Sequence, residues 1–484
     1  MAQRTPRARA VRLFGLLSPL FFSSLQAAAR DLILYCIIII NKNKKKGHPF
    51  MALAFKHWLI SKVQDPTKVP IPRVISGSGV ASNLGPVAAK LGMKNPLIVS
   101  DSFLVNIGLV QRAVDGLAKA GLSSVVYGKV VPNPPRDQVV EGFNMYVDND
   151  CDGLIAIGGG SPMDCCKIIG ALVLHNVHNQ GNKIPEDFIG LMKIAGSNKS
   201  LAAKYPPFVA IPTTAGTGSE TTLAAVISFP KMQLKLNIAD KCIIPKVAIL
   251  DPEVIVSLPP HITAATGMDA LTHAVESYLS RWQSAYTARY SLSAVRKIGT
   301  WLKVCYDEPT NLRAREQMLQ ASFEAGVAFT RANVGYVHAV AHTLGAYFGV
   351  PHGVGNSMVL PYVLDYYAET DIMDDRFCEL ALAIGLASDH PNAYNTKEGK
   401  RAMTLAFIAK VRAMNASMNI PSFVKGMTIQ DVERVGARAL LEGNGAGKTF
   451  SIMDFGYPCP KTMTRTDMDK ILMSIVDPNL VARL

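Results

Sequence analysis

The sequence predicts an α/β half followed by an all-helical half. Three observations carry that prediction. From about residue 70 to residue 250, short apolar runs alternate with helix-period stretches, the pattern of a parallel sheet covered by helices. From about residue 253 onward, long helical patterns follow one another with few β-branched runs. Two strand candidates of the first half also run straight into loops of Gly, Ser and Thr. Such loops lie at the carboxyl edge of an open α/β sheet, where ligands bind.

In chain order, strands are expected at Pro96–Ser100, Ser124–Tyr127, Gly153–Ile157, Phe208–Ile211 and Val247–Leu250. Each is a short apolar or β-branched run bounded by turn residues. Helical periodicity places Ile107–Ala120 and Met163–His175 between them. In the second half it predicts helices over Ala264–Leu279, Ala285–Trp301, Asn311–Thr330, Val337–Phe348, Lys400–Met414 and Ile429–Leu441. No internal repeat at a fixed period is visible.

Composition narrows the class. With 484 residues, 49% hydrophobic and 18% charged, the chain can bury a sizeable core, and a disordered chain is excluded. The net charge is +13, but residues 1–50 carry nine Lys/Arg against the single acid Asp31 and so hold eight of those thirteen charges. The remaining body shows no basic stripe, so no nucleic-acid partner is expected. No stretch reaches the roughly 18 consecutive apolar residues of a membrane span, and no membrane association is expected. The eight cysteines are scattered without a CxxC pair, which predicts reduced thiols in an intracellular enzyme.

The first 50 residues read differently from the rest. Arg4, Arg7, Arg9, Arg12 and Arg30 frame an apolar run with serines and no acid. That is the composition of a mitochondrial transit peptide, and the small residues Ala27–Ala29 also fit a secretory signal. A third reading takes Met51 as the true start, leaving a cytoplasmic protein. Fold reasoning begins near residue 51. The expected division is therefore an N-terminal extension at 1–50, an α/β domain at 51–252 and a helical domain at 253–484.

The strand Leu154–Ile157 runs into Gly158-Gly159-Gly160-Ser161-Pro162-Met163-Asp164. Glycines let the backbone approach a ligand closely. Ser161 suits an N-cap, Pro162 the first helical position, and Asp164 a capping box. Free N–H groups and the positive dipole end of a helix starting there suit a pyrophosphate; an ordinary strand–turn–helix link is the alternative. A second loop, Pro212-Thr213-Thr214-Ala215-Gly216-Thr217-Gly218-Ser219-Glu220, follows another strand, and two such loops at one sheet edge point to a dinucleotide. Asp101, just past a strand, is placed to bind a ribose diol and repel a 2′-phosphate, favouring NAD over NADP, or else to cap a helix. The segment Gly443–Thr449 resembles a P-loop, but Glu442 stands where the first glycine is required, so no nucleoside-triphosphate site is expected.

The second half suggests a metal. Asp269 and His273 are four apart, as are His338 and His342, and His352 follows in a turn-like VPHGVGN context. Residues four apart share a helix face, and a carboxylate with imidazoles can wrap a divalent ion. His261 sits in a proline-rich turn, and His175, His178 and His390 lie in polar stretches, so none of them is expected at the metal.

Together GGGSPMD, PTTAGTGSE, TGMDALTHAVESY and VHAVAHTLGAYFGVPHGVGN resemble the iron-containing (group III) alcohol dehydrogenases. That family takes in lactaldehyde reductases, propanediol dehydrogenases and ethanol dehydrogenases. The resemblance spans about residues 65 to 480. It implies a dehydroquinate-synthase-like fold, an α/β dinucleotide-binding domain followed by a helical metal-binding domain with the active site between them. It implies Asp269, His273, His338 and His352 as metal ligands, with Fe²⁺ the expected ion and Zn²⁺ the alternative. It further implies His342 as a non-ligand near the nicotinamide. Gly159, Gly160, Ser161 and Asp164 then form the pyrophosphate loop, and Thr213 and Thr214 belong to the second loop. Asp101 becomes the ribose acid, Asn133 the asparagine of an Asn-Pro motif, and Lys235 a lysine by the nicotinamide ribose. The expected reaction is hydride transfer between a small primary alcohol or diol and NAD, with His342 relaying the proton, in a homo-oligomer. Two alternatives share the fold: a hydroxyacid–oxoacid transhydrogenase and a dehydroquinate-synthase-type lyase.

Overall fold

The computed structural model describes residues 65–178, 188, 202–229, 234–387, 394–445 and 456–481, without the side chains of residues 177–178 and 234–235. The N-terminal extension 1–50 and the P-loop-like residues 446–449 lie outside the described residues, as does His390. Residues 65–484 make up one compact unit, so the change of architecture near residue 253 falls inside a single body.

The first half contains β1 (Arg73–Ser76), β2 (Leu97–Val99), β3 (Val125–Tyr127), β4 (Leu154–Gly158), β5 (Phe208–Pro212), β6 (Ala224–Phe229), β7 (Leu234–Ala239) and β8 (Val247–Leu250). Its helices are α1 (Leu84–Lys90), α2 (Ser102–Asn106), α3 (Leu109–Lys119), α4 (Arg136–Asp148) and α5 (Gly160–His178). Six strands form one sheet in the order β1-β8-β5-β4-β2-β3, with every neighbouring pair parallel. Alternate residues go to opposite faces. Leu97, Val99, Leu154, Ala156, Phe208 and Ala210 pack with α4 and α5, whereas Ile98, Ile155, Ile157, Val209 and Ile211 pack with α1 and α3. Burial on both faces is why these strands read as continuous apolar runs rather than alternating ones.

Several elements were not anticipated. β1 is a four-residue edge strand with mostly exposed residues, so it carries no apolar run. β6 and β7 form an antiparallel pair outside the main sheet, and α4 was also missed. The helix expected over Ile107–Ala120 forms as α3, and Gly108, with a φ of 77°, separates it from the unanticipated α2.

The second half is helical: α6 (Pro260–Leu279), α7 (Ala285–Asp307), α8 (Leu312–Ala332), α9 (Tyr336–Phe348), α10 (His352–Tyr367), α11 (Asp374–Ala383), α12 (Lys397–Ser417), α13 (Asp431–Asn444) and α14 (Arg465–Met473). α6 is the central element, buried at every residue from Gly267 to Leu279. His352 is the first residue of α10, behind Pro351 at the N-cap, not part of the turn expected there. The turn belongs to Gly349, whose φ is 65°. Among the described residues, no helix is long and apolar enough to cross a membrane.

The halves meet at the loop after β5. Gly218 has φ +59°, and a Cβ there would stand 2.8 Å from Gly326 Cα and 2.9 Å from Ser322 O, both backbone atoms of α8. A Gly218→Ala variant therefore combines left-handed strain with a clash that no side chain can relieve, costing about 2–4 kcal/mol. Calorimetric unfolding should show the loss; an unchanged melting temperature would mean that the loop can lift off α8.

Candidate active site

The helical half gathers the residues expected to hold a metal. One ligand atom from each of Asp269, His273, His338 and His352 lies within 4.8 Å of the others. α6 supplies Asp269 and His273 from adjacent turns, α9 supplies His338, and α10 supplies His352. Three are nearly inaccessible, with 2% exposure for Asp269, 5% for His273 and 3% for His338. His352 is the open side of the group, with 40% of its side chain exposed. Burial holds His273 below its ordinary pKa. Burial, reinforced by the neighbouring imidazoles, holds His338 well below it. Both are therefore neutral, the form that offers a lone pair to a cation. One carboxylate and three imidazoles converging this closely suit a divalent first-row metal.

His338 and His273 are oriented from behind, and Asn356 bridges the other ligand atoms. Glu276, one helical turn past His273, accepts backbone N–H bonds from Gly335 and Val337 at 2.8 Å each. It faces His338 Nδ1 at 2.6 Å. Burial pushes the Glu276 carboxyl up to about 7; in its ionised form it only accepts, so Nδ1 then carries the proton and Nε2 turns to the cluster. His273 Nδ1 donates to the Gly216 carbonyl at 3.3 Å. The Asn356 amide donates to Asp269 Oδ1 at 2.6 Å and lies 3.1 Å from His352 Nε2 and 3.3 Å from His338 Nε2.

His342 is not part of this group. Its Nδ1 pairs with Glu442 Oε1 at 2.6 Å, and the Tyr457 hydroxyl donates to the same oxygen at 2.5 Å. Its ring stacks on that of His352, with centroids 5.1 Å apart. Burial pushes the Glu442 carboxyl up, but the His342 charge and the two hydrogen bonds outweigh it, leaving the group below its ordinary value.

On the sheet side, Asp101, Gly159, Gly160, Ser161, Thr213 and Thr214 lie along the carboxyl edge after β2, β4 and β5. The two loops face each other: a Cβ on Gly159 would touch the Thr214 side chain at 3.3 Å, and one on Gly160 would touch Thr217 at 3.2 Å. Thr213 N donates to Gly158 O at 3.0 Å. The buried Thr214 Oγ1 has no hydrogen-bond partner, a donor of the kind a phosphate oxygen satisfies. Asn133, at φ 53°, donates its N–H to Ser161 Oγ at 3.1 Å and so joins the glycine loop. Asp101 caps α2, accepting from Leu104 N at 2.9 Å. Lys235 lies on β7, and its side chain is outside the described residues.

The expected capping box does not form. α5 opens at Gly160, so Ser161 lies inside the first turn. Asp164 reaches away from the helix start, accepting from Ser219 Oγ at 2.9 Å and Val226 N at 3.0 Å. Beside it, the fully buried Lys167 donates to Ser219 Oγ, Thr222 Oγ1 and Ala224 O at 2.9, 2.7 and 2.8 Å. Glu220 is 1% exposed, and burial pushes its carboxyl up to about 7.

Sequence reasoning missed Glu276, Asn356, Lys167, Glu220 and the Glu442–Tyr457 pair. Glu276 had a signal, because Asp269, His273 and Glu276 are spaced i, i+4, i+7 on one helix face. Asn356 stands four residues after His352 and had a similar one. Glu442 and Tyr457 meet only through tertiary structure.

Comparison with known proteins agrees with this geometry. Residues 71–252 match the iron-containing alcohol dehydrogenase domain, and residues 263–475 match the C-terminal domain of the Fe-containing alcohol dehydrogenase family. The chain is 36% identical to the 1,3-propanediol dehydrogenase of Citrobacter freundii over 76% of its own length and 90% of that protein. It is 37% identical to the NAD-dependent methanol dehydrogenase of Bacillus methanolicus over 65% of its length and 78% of that protein. The crystal structure of a 1,3-propanediol oxidoreductase superposes with a TM-score of 0.74 at 30% identity, covering 84% of this chain and 98% of the other. The chain belongs to the iron-containing alcohol dehydrogenase family.

Two expected outcomes follow from the geometry. A Glu276→Gln variant loses the carboxylate behind His338, and its metal affinity should fall by about 10–100-fold, measured by chelator competition; unchanged affinity would remove Glu276 from the site's support. The second concerns pH. The Glu220 carboxyl rises from an ordinary 4.5 to about 7 on folding, so the folded state keeps its proton where the unfolded chain has lost it. Stability should fall as pH rises across that window, by up to about 1.4 kcal/mol per unit, and the deficit should persist above it. Glu220→Gln should therefore gain on the wild type as pH rises from about 5 to about 8 in urea unfolding. A difference independent of pH would show that Glu220 is ionised throughout.

Proposed function

We propose that this chain is a metal-dependent alcohol dehydrogenase that moves hydride between a small primary alcohol or diol and NAD. The observation that carries the reading is the convergence of Asp269, His273, His338 and His352 within 4.8 Å, beside the loop from Thr213 to Ser219. Those residues would hold the ion, with Fe²⁺ favoured by family membership. When bound, the divalent ion stabilises negative charge on the alcohol oxygen, and the nicotinamide accepts the hydride.

The chain's own residues do the rest. The glycine turn at 158–160 and Thr213 and Thr214 cradle the pyrophosphate at the start of α5. Asp101 takes the adenosine ribose, with Asn133 and Lys235 completing the cofactor contacts. His342 takes the proton. Its Nδ1 is bonded to Glu442, and the carboxylate behind it stabilises the charged ring. The half-exposed His352 side leaves the substrate a way in.

Relatives named as propanediol and methanol dehydrogenases favour this reading over the lyase and the transhydrogenase. Delivery to the mitochondrion is a separate proposal. It is supported by the Arg-rich, acid-poor residues 1–30 and tested by localising a fluorescent fusion of residues 1–50; assembly as a homo-oligomer is tested by sedimentation.

The deciding experiment is metal analysis of the purified protein, followed by a small-alcohol panel with NAD after Fe²⁺ or Zn²⁺ reconstitution, read as NADH absorbance. Turnover with release of NADH is expected; no NADH growth with any alcohol would overturn the reading. His338→Ala should lose metal and turnover together. Asp101→Gly should narrow the preference for NAD over NADP by removing repulsion of the 2′-phosphate, and a wild type that already prefers NADP would refute the role of Asp101.

A further inference from the structure

The loop from Pro212 to Thr222 touches both halves of the site at once. At its start, Thr213 N is bonded to the glycine turn, and Thr214 packs on Gly159 with its hydroxyl unpartnered. In its middle, a Cβ on Gly216 would stand 2.7 Å from Thr266 Cβ and 2.8 Å from Thr266 O. The backbone there lies directly on α6, one turn before Asp269. The Gly216 carbonyl accepts from His273 Nδ1, so this loop supplies the orienting partner of a metal-ligating histidine. At its end, Ser219 and Thr222 are fastened to the buried Lys167 ammonium on α5, and Ser219 also to Asp164.

These three attachments act on one short piece of chain. A buried ammonium with its hydrogen bonds made cannot release Ser219 and Thr222 without being stranded. The end of the loop is therefore an anchor. Its start carries the buried, unpartnered Thr214 hydroxyl, which a phosphate oxygen would satisfy. Its middle sets the ring orientation of His273, and outer partners of this kind govern the affinity of the ion their histidine holds.

We propose that the 212–222 loop links the two binding events, so that a dinucleotide in the sheet half raises the metal affinity of the helical half. The reverse holds by the same factor, because coupling free energy is reciprocal. A pyrophosphate contact at Thr214 fixes the start of a loop whose end Lys167 already fixes. The Gly216 carbonyl is then ordered before the ion arrives, and the cost of ordering His273 is shared between ligands. Lys167 is a positioning residue in this scheme; it touches neither ligand. The inference rests on the dinucleotide reading given above.

The test uses the full chain, Zn²⁺ and a chromophoric chelator, with and without saturating ADP-ribose or NAD. ADP-ribose carries the pyrophosphate but no nicotinamide, so it isolates the loop from any direct contact between nicotinamide and the metal site. Metal affinity should rise about fivefold or more with ADP-ribose and by a similar factor with NAD. In Ser219→Ala, which removes the hydroxyl shared by Lys167 and Asp164, the gain should shrink to less than twofold. Lys167→Met should abolish it; should that variant fail to fold, Ser219→Ala carries the test. The readout is the ratio of affinities with and without nucleotide, which a merely destabilised scaffold leaves in place. An unchanged affinity while calorimetry shows ADP-ribose bound would overturn the linkage. So would a gain seen with NAD alone, or a full gain retained in Ser219→Ala. Failure of both nucleotides to bind would overturn the dinucleotide reading and the linkage with it.

Discussion

The burial of α6 governs the helical half. A helix enclosed from Gly267 to Leu279 ordinarily carries only apolar side chains, because an unpartnered buried charge costs several kcal/mol. α6 carries Asp269, His273 and Glu276 there. Each must therefore meet a partner from another element, and those partners set how the neighbouring segments pack. Glu276 draws in the start of α9 through the N–H groups of Gly335 and Val337 and through His338. Asp269 draws in α10 through Asn356. His273 draws in the loop after β5 through Gly216. Gathering the ligands and satisfying the buried helix are the same requirement.

The sheet half solves a different problem. Its loops must leave N–H groups and hydroxyls free for an anion, yet hold their shape without spending those groups on internal bonds. The solution is to fasten the loop from the far side. Lys167 and Asp164 grip Ser219, Thr222 and the start of β6, away from the edge where Thr214 keeps its hydroxyl unpartnered. Glycines complete the arrangement at the close approaches. Gly216 lets the loop lie on Thr266, and Gly218 takes a left-handed conformation against the backbone of α8. Any side chain at either place would separate the sheet half from the ligands.

Much of this was readable from residue types and spacing. The inner strands show as apolar runs because both faces are buried, and Asp269 and His273 share a face of α6 because they are spaced i, i+4; His338 and His352 join them from α9 and α10. Of what the sequence did not predict, Glu276 and Asn356 carry a helical-spacing signal, and the rest lacks a local signature. β1 is too short and exposed to register, and the β6–β7 pair sits off the main sheet. Asp164 looked like a capping residue because its spacing from Ser161 fits a capping box. Its partner Ser219 stands in a different loop, and sequence distance hides the competition between the two roles. Lys167 stands inside the helix expected over Met163–His175 with nothing local to mark it, and only tertiary structure buries it.

His338 and His342 show where spacing stops being informative. They occupy the same helix four residues apart, and spacing alone makes them equal candidates for the ion; in the sequence only the family resemblance sets His342 apart. Their environments separate them. His338 is sealed, with Glu276 behind it and Asp269 and His273 in front, so its remaining lone pair has only the ligand cluster to face. His342 keeps 34% of its side chain exposed and is held from the other side by Glu442, whose second hydrogen bond comes from Tyr457. A carboxylate behind a half-exposed imidazole stabilises the protonated ring, whereas a ligand must stay neutral to bind a cation. The same residue type thus serves two opposite demands on charge within one helical turn, and burial with the identity of the rear partner decides which demand each ring meets.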